Sequence, residues 1–208
     1  RKMAAAADAA LNAGSDLGPL QGLPISIKDL YGIKGFPTYA GSGKKLPEKW
    51  EAEGPVVQAI KAQLGVITGK THTVEFAAGG LGTNIHWGAP RNPWDADVAR
   101  SPGGSSAGAG VSLWEGSALA AFGSDTMGSV RIPATATGTV GLKMSARRWS
   151  NAGIVPLRAS QDTPGPLTRT AADAAFVFAA LDPAHRADPA VFMAGLDGAD
   201  IAGLTIGI

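Results

Sequence analysis

The residues predict a layered α/β fold, and three observations carry that prediction. Apolar residues make up 45% of the 208 and charged ones only 17%, a balance that suits a chain with much interior for its surface. Between residues 23 and 68 a strand, a helix and a second strand follow one another, the unit from which helix-covered sheets are built. Thr170-Ala-Ala-Asp173 reads as a capping box with Asp in place of Glu, opening an apolar helix over residues 171–181. One large domain, or part of a larger one, fits this length better than two.

In chain order, residues 4–12 have a helix-forming composition, with Gly14 as a stop. Leu23-Pro-Ile-Ser-Ile-Lys-Asp29 alternates apolar and polar like a strand. On the residues alone, Lys28 near its end reads as a solvated lysine at a sheet edge. Residues 36–54, rich in glycine and lysine, read as loop. Residues 55–64 read as an amphipathic helix, with Pro55 at a favoured first position and Gly65 past the end, and Val66-Ile-Thr68 follows as a buried strand. Residues 78–104 hold many turn formers and read as a long ordered connection, a kind of segment that is commonly functional.

A small-residue helix follows over 106–113, its N-terminus aiming N–H groups at the preceding turn. Next come a short buried strand over 118–123, a turn over 124–128 and a helix interrupted by Pro133. Gly141-Leu-Lys143 and Gly153-Ile-Val-Pro156 read as strands or edges, and residues 187–199 as surface connection. The run Gly203-Leu-Thr-Ile-Gly-Ile208 is strand-like, without a cap or tail, and is expected to mark an interrupted chain.

Composition also narrows the partners. A net charge of +1, with no basic run, argues against a nucleic-acid binder, and no apolar run approaches the roughly 20 residues of a membrane span. The absence of cysteine removes disulfides, thiolate nucleophiles and cysteine metal sites. A soluble, cytoplasmic protein without cofactor or metal is expected. Three local look-alikes fail on their details. Gly65 to Gly69-Lys70-Thr71 has three residues between its glycines where a phosphate loop needs four. His72 and Glu75 have no further metal ligand nearby, so a surface or capping role is expected. Ser42-Gly-Lys-Lys45 lacks the companion motifs of penicillin-binding enzymes.

The stretch from Ser101 to Arg131 holds two glycine-serine turns that bracket a small-residue helix and a short apolar run. Glycine lets the backbone turn tightly, so a serine beside it is held at a fixed, exposed corner. Around it, the matching residues are Gly22-Leu-Pro-Ile-Ser-Ile-Lys28-Asp29, Gly82-Thr-Asn84, Arg91-Asn-Pro-Trp-Asp95, Pro102-Gly-Gly-Ser105-Ser106-Ala-Gly108 and Gly123-Ser-Asp125-Thr-Met-Gly-Ser129-Val-Arg131-Ile-Pro133-Ala134. The stretch 138–143 and Asp162-Thr-Pro-Gly-Pro166-Leu-Thr-Arg169-Thr170 complete the set. Through these residues the chain resembles the amidase signature family, serine hydrolases that cleave carboxamides with a Ser-Ser-Lys triad. The resemblance spans residues 15–182, with a signature core over 82–169, and implies α/β/α layers around a central mixed sheet. Members are much longer than 208 residues, so residues 1–208 are expected to be the amino-terminal half of the catalytic domain.

Carried over by position, the resemblance implies Ser129 as nucleophile, Ser105 as a bridging serine preceded by a cis peptide bond, and Lys28 as base. It implies an oxyanion hole at Thr126, Met127, Gly128 and Ser129. Met127 stands where many members have glycine, and its side chain is expected to narrow the pocket or restrict the turn. Asp125 and Arg131 flank the nucleophile, either as a buried pair bracing the turn or with Arg131 as a surface cation. Ser106 either supports Ser105 by a hydrogen bond or caps the following helix.

The chemistry needs such a trio, because a serine hydroxyl requires a neighbouring base and a lysine serves only when neutral. Its reference pKa of about 10.4 falls by up to roughly 3–5 units on burial, and Ile25, Ile27 and Leu30 supply apolar neighbours. None of His72, His86 or His185 lies in a triad motif. The activity implied is hydrolysis of a small-molecule amide through an acyl-enzyme, with a homodimer among the assemblies it allows. The amidase subunit of a tRNA-dependent amidotransferase and a non-catalytic binding descendant are the alternatives.

Overall fold

The computed structural model describes residues 1–205; the last three residues of the 203–208 run lie outside them. Among the described residues the sheet has five strands in the order β2-β1-β3-β5-β4. These are β1 (Pro24–Lys28), β2 (Val66–Thr71), β3 (Ala120–Asp125), β4 (Val140–Gly141) and β5 (Thr163–Thr168). β1 runs parallel to β2 and β3, while β5 is antiparallel to β3 and β4, so the sheet is mixed.

Helices cover both faces. Strand alternation sends Ile25, Ile27 and Phe122 into a core shared with Val56, Val57 and Ile60 of α2 (Pro55–Ala62) and with Val177 and Leu181 of α5 (Ala171–Leu181). On the opposite face Ala121 packs with Ala109 and Leu113 of α3 (Ala107–Trp114) and Ala134 of α4 (Arg131–Thr137). α3 lies very close to its neighbours, since a Cβ on Gly108 would stand 2.6 Å from His72 N. The fold is the three-layered α/β/α arrangement. Thr170 caps α5 by accepting from Asp173 N at 3.0 Å, and α1 (Lys2–Asn12) lies outside the layers, touching β2.

Several sequence readings change. β1 lies inside the sheet rather than at its edge, so Lys28 is fully buried. β2 is an edge strand; it extends to Thr71 and is half-exposed, where a short buried strand was expected. α4 is not interrupted by Pro133. The proline falls in the first turn, where helix N–H groups have no intrahelical acceptor to lose. Residues 187–199 contain a short helix, α6 (Pro189–Ala194), capped by Asp188, which accepts from Val191 N.

β5 carries no strand signal because Pro164 and Pro166 demote it. Their backbones face β4, as shown by Leu142 N donating to Pro166 O at 3.0 Å. That side has only a two-residue partner strand, and the alternate residues keep the ladder to β3. Residues 203–205 form no strand.

Candidate active site

The site forms where the parallel strands β1 and β3 end side by side, the place at which open α/β sheets present their loops. Ser26 faces α3, its Oγ 2.8 Å from Ser112 Oγ. Two residues on, Lys28 leaves the strand on the same face. Its Nζ donates to Ser105 Oγ at 2.7 Å and to Ser124 Oγ at 3.0 Å. Among the described residues it has no carboxylate partner within ion-pair distance. Burial pushes its pKa down from 10.5 to about 7, against the opposing fields of Asp125 and Asp162.

Ser105 sits in the turn before α3, and the Gly104–Ser105 peptide bond is cis. The turn is pressed against another segment: a Cβ on Gly104 would stand 2.8 Å from Gly82 N, so the long connection 78–104 serves to wall it in. Val74 N donates to Ser105 O at 3.1 Å, fixing the turn from a third side. Ser106 stands at the N-cap position of α3, yet its side chain neither caps the helix nor bonds to Ser105. Its Oγ accepts from Ser124 N and donates to Ser124 O, at 3.3 and 3.4 Å, which ties the turn to β3. The N–H of Ser106 goes to Ser129 O at 3.3 Å, and that of Gly108 to His72 O, so these donors at the start of α3 are occupied.

Ser129 follows β3 in a turn organised by Asp125. The fully buried Asp125 carboxylate accepts from Gly128 N at 2.7 Å, from Val130 N at 3.1 Å and from Arg131 Nε and Nη2, both at 3.1 Å. Burial pushes its pKa up, but Arg131 and these N–H groups outweigh it and hold the carboxyl below the usual range. The two readings of Arg131 both hold in part: it braces the turn, and its side chain remains 53% exposed. Gly128 has φ 122, a backbone reserved for glycine, and a Cβ there would meet Ile132 at 2.8 Å. Met127 points into solvent, 76% exposed, and does not narrow a pocket among the described residues.

Lys28, Ser105, Ser106, Asp125 and Ser129 are thus brought together. Ser105 and Ser129 meet through the backbone bond of Ser106, and no hydrogen bond joins the Ser129 and Ser105 hydroxyls. Such bonds often tighten only with substrate bound. Ser124, the second acceptor of Lys28, was missed in the sequence. Its one signal was its place at the end of a buried strand beside the one that carries Lys28. Asp162 also went unassigned. It accepts from the Thr126 hydroxyl and from Leu157 N and Arg158 N, both at 3.0 Å.

The look-alike motifs lie elsewhere. His72 Nε2 bonds Gly88 O, Glu75 pairs with His86, and Lys45 pairs with Glu51. No helix among the described residues is long and apolar enough to cross a membrane.

Known proteins are similar to this chain in sequence and in fold. A family model described as Amidase matches residues 1–192. The 2-amino-5-chloromuconic acid deaminase of Comamonas testosteroni is 61% identical over 91% of this chain and 41% of its own length. A glutamyl-tRNA(Gln) amidotransferase subunit from Acidothermus cellulolyticus is 42% identical over 99% of this chain and 42% of its own. Among solved structures, the native peptide amidase of Stenotrophomonas maltophilia superposes with a TM-score of 0.80 at 34% identity, over 96% of this chain and 41% of that one. The chain therefore spans less than half the length of the relatives it matches, and across nearly all of its own length it belongs to the amidase family.

Proposed function

We propose that this chain carries the catalytic trio of a hydrolase that cleaves a carboxamide C–N bond through an acyl-enzyme on Ser129. The observation that carries the reading is a buried lysine amine, 2.7 Å from Ser105 and outside ion-pair distance of any carboxylate among the described residues, with its pKa pushed down to about 7. A neutral amine there takes a proton from Ser105 as Ser105 takes one from Ser129, whose Oγ attacks the carbonyl carbon. The tetrahedral oxyanion needs fixed donors, the loss of one costing roughly 2.7–4 kcal/mol in the barrier. Gly128 N is committed to Asp125, so Thr126, Met127 and Ser129 supply the N–H groups. Collapse of the intermediate expels the amine with the returned proton, and water then hydrolyses the ester on Ser129.

The 61% identical relative supports a small-molecule C–N hydrolase over the tRNA-dependent reading, whose representative is 42% identical. It also favours a second substrate class, amino-substituted unsaturated dicarboxylic acids. Ammonia release from a panel of aliphatic, aromatic and amino-acid amides and of 2-aminomuconic acids separates the two. Ser129→Ala is expected to abolish release with every active compound and to remove labelling by a fluorophosphonate. A variant that kept both activities would show that Ser129 is not the nucleophile.

A further inference from the structure

We propose that Asp162 is a positioning residue for the nucleophile turn, holding Thr126, and with it the oxyanion donors, against the 157–162 strap. The inference rests on the reading of Ser129 as nucleophile. Asp162 is 7% exposed and its carboxylate is fully engaged: the Thr126 hydroxyl donates to Oδ1, Leu157 N donates to Oδ2, and Arg158 N donates to both oxygens. Its own carbonyl accepts from Asn151 Nδ2 at 2.6 Å, so the strap is anchored at both ends of the residue.

The Ser129 turn is therefore gripped by two acids. Asp125 holds its far side, through Gly128, Val130 and Arg131. Asp162 holds its near side, through Thr126. Thr126 is the first residue past β3 and the first oxyanion donor, and its side chain is aimed away by this one contact. Ser124 and Asp162 also line one cavity of about 260 Å³ with Asn151 and Leu157, so the contact forms part of the wall beside the lysine's second acceptor.

The placement has an electrostatic consequence. The titratable groups about Lys28 are Asp125, which is paired with Arg131; Asp162; and the Tyr31 phenol, whose hydroxyl donates to Gly123 O. Asp162 favours the protonated amine, so its field raises the pH at which Lys28 becomes a base. An uncharged residue making the same contacts would lack that signature.

The test is the pH-dependent reaction of the full-length protein with a fluorophosphonate, in which the Ser129 Oγ–P bond forms as P–F breaks and the serine proton passes to the Ser105–Lys28 pair. For Asp162→Asn, the maximal labelling rate is expected to fall tenfold or more while the half-saturating concentration stays within threefold. The acid limb is expected to move to lower pH by about half a unit or more. Thr126→Val is expected to slow labelling comparably with the limb unmoved. The double variant is expected to be less than additive, since the two changes remove one contact.

Full labelling rate with an unmoved limb in Asp162→Asn, or additive losses in the pair, would overturn the proposal. If Asp162→Asn does not fold, Thr126→Val decides: a rate within twofold of the parent refutes it, and a fivefold or greater loss at unchanged half-saturation supports it. Labelling that survives in Ser129→Ala would instead remove the reading on which the proposal rests.

Discussion

Two lysines on neighbouring strands end up in opposite roles. Lys28 closes β1 and Lys70 stands one register step earlier on β2, paired with Ile27. Burial lowers the pKa of both. Lys70 is given a carboxylate, Asp29 Oδ1 at 2.6 Å, together with Thr38 Oγ1 at 2.7 Å and Pro37 O at 3.1 Å. Lys28 is given two hydroxyls and no carboxylate among the described residues, and its pKa falls to about 7. The two acids whose fields reach it are occupied by other donors, Asp125 by Arg131 and Asp162 by Thr126. The difference teaches that burial alone does not make a base. A buried amine becomes one where nearby negative charge is committed elsewhere.

The largest break in the comparison comes from Lys28→Met. If Lys28 is the general base of the proposed mechanism, its loss is expected to slow Ser129 labelling by about 10²–10⁴-fold. The same change is expected to favour the folded state. A lysine whose pKa is lower folded than unfolded costs stability in full below pH 7, and the cost is relieved as pH rises from about 7 to 10.5. A drop of that size corresponds to about 5 kcal/mol. Denaturant melts should therefore show the variant's relative stability shrinking between pH 6 and pH 10.

Lys70→Met is expected to do the reverse. It leaves Asp29 partly buried without its cation and destabilises by about 3 kcal/mol, while the acid limb of labelling stays in place. The smallest effect belongs to Ser124→Ala, which removes one of the two acceptors of Lys28. A roughly fivefold slower labelling is expected, the size of one hydrogen bond between neutral groups. No change would mean that Ser105 alone positions the amine.

Much of this was legible in the residues. The 2-residue alternation around Ile25 and Ile27 gave β1, and the capping pattern at Thr170 gave α5 with its bounds. The glycine-serine turns marked Ser105 and Ser129. The proposed role of Lys28 came from resemblance, because periodicity places a lysine at a strand end without saying whether the strand is central. The rest is made by tertiary pairing. Ser124 meets Lys28 only because β1 and β3 lie in parallel register. Asp162 lies 36 positions from Thr126, and β5 is a strand despite Pro164 and Pro166 because their side of it needs few donors.

The central claim is that the amine of Lys28 loses its proton near neutral pH inside the folded protein. Labelling the lysine side-chain ε-carbons with ¹³C and following them by NMR across pH tests it directly, with Lys28→Met assigning the resonance. A signal absent from the variant and titrating near pH 7 is the predicted result; a signal titrating near 10.5 would contradict the account.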